Sequence, residues 1–191
     1  MTALLALENC DLDEIVTFSE EAVYGNEGDT SHIAREVGEE MTLENCLYGM
    51  MLESANECAY AVAEHVGGTV EHFVDMMNEK LAELGCQESH FENPSGLNGD
   101  NQYVSAYDMA LIAQAAYDNE TLVEISSATT HKIAPTTQNP DGFTIRGEHR
   151  LCVTEDPSSP YYYPEAIAGK TGYLIKAGNT LVTYAVKDNR R

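Results

Sequence analysis

The chain has 191 residues, and Asp and Glu outnumber Lys and Arg by 32 to 10, for a formal net charge of −22 at pH 7. Such a balance excludes a broad nucleic-acid surface, which needs clustered Lys and Arg, and excludes docking on an anionic membrane through a basic face. The length suits one ordinary domain, the 43% hydrophobic content argues against disorder, and no stretch approaches the ~18 consecutive apolar residues of a membrane span.

Met1 to Leu7 reads as the middle or end of a buried helix, with no N-cap ahead of its apolar run. Asp11 to Ser19 carries Leu12, Ile15, Val16 and Phe18 and reads as a loop leading to a short strand. Residues 24–32 form a turn-rich loop. Thr42 is placed to cap a helix with Glu44 in its first turn, and Leu43, Cys46, Leu47, Met50 and Met51 form its apolar stripe. A break follows at Glu53-Ser54-Ala55-Asn56, then a second helix from about Glu57 to His65 that stops at Gly67-Gly68. Thr69 caps a third helix with Val70, Phe73, Val74, Met77, Leu81 and Leu84 on one face and Gly85 past its end. Asn93-Pro94-Ser95-Gly96 signals a turn. Ser105 and Asp108 open a helix over 106–117, and a shorter helix covers about 120–126. Residues 129–160, rich in Thr, Pro, Asn and Ser, hold short β-like pieces. Strands follow at 166–175 and 180–186. Helices first and strands afterwards predict an α+β fold.

The residues that could carry chemistry are few. The five cysteines are odd in number and form no C-x-x-C, which reads as ordinary thiols and not as a zinc cluster or redox pair. The six histidines show no metal-ligand spacing and read as surface or structural residues. Asp29, Asp100 and Asp118 have no EF-hand spacing. Ser54-Ala55-Asn56 admits two readings: a helix N-cap, or a hydroxyl and a carboxamide turned into a cleft. Lys170-Thr171-Gly172 lies within an apolar strand. There Lys170 is either a solvated charge on an edge, or, with Thr171, a carboxylate-binding pair on an edge that takes a substrate backbone. Gly in a strand marks close approach of another backbone.

Together these features resemble the signature set of penicillin-binding proteins and serine β-lactamases, in which S-x-x-K, an S-x-N triad and K-T-G occur in that order. Further stretches resemble one branch of that group. Phe91 to Leu97 is similar to an F-x-N-P-x-G-L turn, Ser105 to Ala113 to an S-A-Y-D-x-A-x-I-A helix start, and Gly169 to Val182 to G-K-T-G-Y-x-x-x-A-G-x-x-L-V. Over nearly all of residues 1–186 the chain resembles the serine-type D-Ala-D-Ala carboxypeptidases of the S11 peptidase family. The resemblance implies a helical lobe over about 1–130 beside a partial antiparallel sheet over about 131–191, in one incomplete domain. It implies removal of the terminal D-Ala from peptidoglycan stem peptides through an acyl-serine, binding of β-lactams by the intact enzyme, no metal or other cofactor, and work outside the cytoplasmic membrane. Ser54 would relay protons and bond the Lys of S-x-x-K. Asn56 would orient that Lys and the substrate amide. Lys170 and Thr171 would bind the terminal carboxylate, and Gly172 would let the substrate lie against the strand.

In that family the nucleophile motif directly precedes a segment like Met1-Thr2-Ala3-Leu4-Leu5-Ala6-Leu7-Glu8-Asn9. No Ser stands three residues ahead of any Lys in the 191 residues; Thr129 ahead of Lys132 comes nearest. The expectation is therefore a truncated chain, inactive as it stands. Two rival readings are a class A-like β-lactamase, with Glu148, Glu155 or Glu165 as the deacylating carboxylate, and a non-catalytic peptidoglycan-binding or interaction module.

Overall fold

The structure, a computed structural model, describes residues 1–25 and 30–188. Asp29 and the centre of the turn-rich loop lie outside the described residues. The chain opens with α1 (Thr2–Asn9), β1 (Ile15–Thr17), α2 (Glu20–Tyr24) and β2 (Glu40–Thr42). Three consecutive helices follow, α3 (Leu43–Leu52), α4 (Asn56–Gly67) and α5 (Val70–Glu83). Next come β3 (Ser89–His90), β4 (Tyr103–Val104), α6 (Ala106–Tyr117) and α7 (Glu120–Ser127). The last part holds β5 (Thr130–Ile133), β6 (Phe143–Arg146), α8 (Arg150–Val153), β7 (Ala166–Leu174) and β8 (Gly178–Ala185).

The helix starts follow from their capping chemistry. The hydroxyls of Thr42, Thr69 and Ser105 accept the backbone N–H groups of Asn45, His72 and Asp108 at 3.3, 3.2 and 3.1 Å. Each satisfies one of the donors that the first helical turn leaves open. Gly85, just past α5, takes φ 78°, a backbone state that costs glycine nothing. At the end of α4 the reason for glycine is space: a Cβ on Gly67 would stand 2.8 Å from the Cβ and backbone N of Phe73.

The main core gathers around α3, whose Leu43, Cys46 and Leu47 are wholly buried. Val16 and Phe18 pack on it from the β1 side, Cys58 and Val62 from α4, Leu122 and Ile125 from α7, and Ile133 and Ile145 from β5 and β6. A smaller cluster of Leu5, Ala63, Phe73 and Met77 joins α1, α4 and α5. The Tyr48 ring of α3 stacks on His131 of β5 with centroids 3.6 Å apart, and Nε2 of His131 meets Oδ1 of Asn45 at 2.9 Å.

Among the described residues the strands form four antiparallel pairs, β1-β2, β3-β4, β5-β6 and β7-β8. The fold is thus α+β, as the element order predicts. Among the described residues, however, the sheet region consists of two separate hairpins rather than one continuous partial sheet. The β7-β8 hairpin sets Lys170 opposite Val182, Thr171 opposite Leu181 and Gly172 opposite Thr180, and it packs on α7 and α8. The short helix α8 is not foreseen by the sequence. It lies between Pro-rich stretches, and no side chain caps it.

A buried ion pair ties the segment before β2 to the β5-β6 hairpin. Nη1 of Arg35 meets Oε1 of Glu39 at 2.6 Å, with both side chains almost fully buried. Arg35 also donates to the Ile33 carbonyl and lies 4.8 Å above the Phe143 ring. Glu39 accepts the Thr136 hydroxyl and the Glu36 backbone N–H. Removing the carboxylate charge would strand the guanidinium in the interior. Glu39→Gln is therefore expected to destabilise by about 3–5 kcal/mol in urea unfolding. Glu165→Gln, which breaks the exposed pair with Lys187, should leave the midpoint unchanged. Equal effects would refute the structural weight given to the buried pair.

Candidate active site

The site starts at the break between α3 and α4. The Gly49 carbonyl near the end of α3 accepts the N–H groups of both Glu53 and Ala55, at 3.2 and 3.1 Å. Between them Ser54 takes φ 56°, the left-handed region that a residue with a Cβ enters at a cost. Ala55, not Ser54, is the N-cap residue of α4, and no side chain caps that helix. Ser54 therefore does not cap α4. Its hydroxyl accepts a hydrogen bond from Nζ of Lys170 across the interface between the α3–α4 turn and β7. Lys170 also donates to the Thr171 carbonyl at 2.8 Å.

Asn56 is buried and does not reach Lys170. Its backbone N–H and its side-chain Nδ2 both donate to the Ser31 carbonyl, at 3.0 and 2.9 Å. Its neighbour Glu57 is a residue that sequence reasoning missed. Oε1 of Glu57 accepts the Ile33 N–H at 2.6 Å, while buried Oε2 meets no hydrogen-bond partner among the described residues. Burial pushes this carboxyl above its ordinary range, against the pull of the Ile33 amide. Asn56 and Glu57 together clamp the 31–33 segment onto the start of α4. A cavity of about 460 Å³ opens beside them, lined by Ser31, His32 and Arg35 among others, but neither Ser54 nor Lys170 borders it. An acidic side chain directly after Ser-x-Asn was the available signal for Glu57.

On the strand side, the glycines around Lys170 are explained by close approach. A Cβ on Gly169 would stand 2.5 Å from the ring of His149 and 2.4 Å from the Val182 carbonyl oxygen. His149 is buried there and meets the Thr183 hydroxyl at 3.0 Å through Nε2. A Cβ on Gly172 would meet the Thr180 hydroxyl at 2.5 Å. β7 pairs only with β8 among the described residues, so its other edge carries no ladder there. Burial lowers the pKa of Lys170, and nearby Glu148 works in the opposite direction. Ser54, Lys170, Thr171 and Gly172 thus lie at one junction of turn and strand, with Asn56 two residues on, at the first position of α4. A separate cluster of Cys10, Glu14 and His65 brings three possible metal ligands within 4.8 Å of one another.

A hydroxyl in a strained interhelical turn is thus bonded to a half-buried Lys in a glycine-flanked strand. The family model described as D-alanyl-D-alanine carboxypeptidase, Peptidase S11, matches residues 1–191. The chain belongs to this family.

Among its relatives is the D-alanyl-D-alanine carboxypeptidase DacF of Bacillus subtilis, 33% identical over 197 residues, with all of this chain and 47% of the relative covered. D-alanyl-D-alanine carboxypeptidase DacB2 of Mycobacterium tuberculosis is 32% identical over 193 residues, with all of this chain and 61% of the relative covered. The chain thus spans about half to three-fifths of the length of these relatives. Among solved structures, the Streptomyces K15 DD-transpeptidase superposes with a TM-score of 0.84 at 28% identity, covering 98% of this chain and 73% of that one. The fold is therefore the penicillin-binding-protein fold. Among the described residues no helix is long and apolar enough to cross a membrane.

The half-buried ammonium has a measurable consequence. Because burial lowers the pKa of Lys170, the folded chain holds this proton less tightly than the unfolded chain. The cost to stability is full below the folded pKa and disappears as pH rises past the unfolded one, near 10.4. Lys170→Met is expected to raise the thermal midpoint by a few degrees at pH 7, and by less at pH 10. Calorimetry at the two pH values checks this; a lower midpoint at pH 7 would mean that the bonds to Ser54 and Thr171 outweigh desolvation.

Proposed function

We propose that the protein to which this chain belongs is a D-alanyl-D-alanine carboxypeptidase that removes the terminal D-Ala of peptidoglycan stem peptides at the outer face of the cytoplasmic membrane. The observation that carries the reading is the Lys170–Ser54 hydrogen bond. It joins the Ser-x-Asn turn to the Lys-Thr-Gly strand, the two motifs this chain shares with the family pattern.

In this proposal the serine of a Ser-x-x-Lys motif, which residues 1–191 do not contain, attacks the carbonyl of the D-Ala-D-Ala bond. Its proton passes to the departing D-Ala amine, and water then releases the shortened peptide from the acyl-serine. Ser54 is the relay for that proton, since its hydroxyl can accept from Lys170 while donating elsewhere. Lys170 and Thr171 bind the terminal carboxylate, and the lone edge of β7 takes the substrate backbone. Gly172 leaves that approach open. Asn56 orients the substrate amide, while Nδ2 stays on the Ser31 carbonyl. β-Lactams acylate the same serine in the intact enzyme. An ammonium is needed here for a physical reason: a net charge of −22 otherwise disfavours an anionic peptide terminus.

Two outcomes test the reading. The 191-residue chain, lacking Ser-x-x-Lys, should give no covalent band with a fluorescent penicillin on a denaturing gel. A band would identify another serine, Ser54 first, as a nucleophile. In a polypeptide carrying Ser-x-x-Lys ahead of Met1, Lys170→Ala should lower kcat/KM for D-Ala release about 10- to 150-fold, as expected for a charge-assisted contact of ~1.5–3 kcal/mol. Lys176, exposed in the turn after β7, should matter only a few-fold when changed to Ala. A larger loss at Lys176 would show that Lys170 does not bind the carboxylate.

A further inference from the structure

Cys10, Glu14 and His65 come from three places in the chain and meet on one side of the helical part. Cys10 terminates α1, and its N–H still bonds the Ala6 carbonyl at 3.0 Å. Glu14 closes the turn that leads into β1. His65 stands in the last turn of α4, nine residues from Asn56, or about 14 Å along the helix axis. The cluster is therefore separate from the Ser54–Lys170 junction and independent of any reading of that junction.

The backbone under the cluster is held from several directions. The Glu14 carbonyl accepts the Leu43 N–H at 2.8 Å, the Leu12 carbonyl accepts the Glu44 N–H at 3.0 Å, and the Glu14 N–H donates to the Asp11 carbonyl at 3.2 Å. The Glu14 carboxylate is also oriented: Oε1 accepts the Asp11 N–H at 2.7 Å, which leaves Oε2 facing Nε2 of His65 at 2.9 Å. The ligating atoms of the three side chains lie within 4.8 Å of one another, and all three residues are half-buried. A tetrahedral zinc ion needs N···O near 3.3 Å and S···N near ~3.6 Å, as follows from its bond lengths. Small rotations of exposed-side torsions cover the difference.

We propose that Cys10, Glu14 and His65 bind a zinc-like divalent ion, with a water at the fourth position. A thiolate with an imidazole selects borderline-soft ions over magnesium or calcium, and one carboxylate completes a three-ligand tripod. The ion takes the place of the proton between His65 Nε2 and Glu14; that proton moves to Nδ1 or to solvent, and the Cys10 thiol proton is released to solvent. The bound ion ties the end of α1, the turn before β1 and the end of α4 into one unit.

The test uses cobalt(II) as a spectroscopic probe on the 191-residue chain, with zinc as competitor. The expected result is saturation at one equivalent, with a near-ultraviolet thiolate-to-cobalt band and intense visible bands of a tetrahedral ion, all displaced by zinc. Cys10→Ser should remove the thiolate band, Cys86→Ser should keep it, and His65→Gln should weaken binding about tenfold or more. Zinc should raise the thermal midpoint of the parent chain but not of Cys10→Ser. No thiolate band in the folded parent chain, or a band that survives in Cys10→Ser, overturns the proposal. If Cys10→Ser does not fold, as judged by circular dichroism, His65→Gln decides: unchanged cobalt affinity there overturns it as well.

Discussion

The break between α3 and α4 is the constraint on which the site depends. α3 is packed on nearly every side and ends where the Gly49 carbonyl takes two amide donors, and α4 begins only three residues after its C-cap. That short link drives Ser54 into the left-handed region and aims its hydroxyl at β7 rather than at the start of α4. Asn56 Nδ2 and Glu57 Oε1 then hold the 31–33 segment against the start of α4. A regular cap at Ser54 would be locally easier and would leave Lys170 without its partner. Strain of this kind persists only where surrounding packing over-determines it, which here means the buried core around α3 and α4.

Lys170 shows the other side of the same design. An ammonium is placed where burial works against its charge, in a strand whose flanking glycines are needed for contacts with His149 and Thr180. That placement works against stability, a trade commonly found at functional sites. At the start of α4, buried Oε2 of Glu57 meets no hydrogen-bond partner among the described residues.

Much of the helical part was legible because its signals are local. Thr42, Thr69 and Ser105 each cap the helix their sequence context announces, and the apolar stripe of α5 is buried at Val70, Phe73, Met77 and Leu81. The strands at 166–174 and 178–185 were legible from their apolar runs. What misled was equally specific. Ser54-x-Asn56 carries the residue types of an N-cap, yet the capping position falls on Ala55. α8 has no side-chain cap and no periodic stripe long enough to read, and His149 beside it meets Thr183 of β8. Whether the 131–185 strands form one sheet or two hairpins depends on which edges meet, and edges leave no trace in a one-dimensional pattern.

By itself, the sequence determined the α+β class, the helix boundaries set by short-range capping, and the motif order Ser-x-Asn then Lys-Thr-Gly that marks the family. Those features depend on residues within about one helical turn of each other, or on residue types read in order. Only the tertiary structure decided that Ser54 bonds Lys170, 116 residues away, and that Asn56 serves the Ser31 carbonyl. It alone brought Cys10 and Glu14 to His65, which lies 51 residues beyond Glu14. The physical reason is the same in each case. Side-chain chemistry at a distance is set by how buried helices pack and where the chain must turn, and neither is written in the spacing of the residues that finally meet.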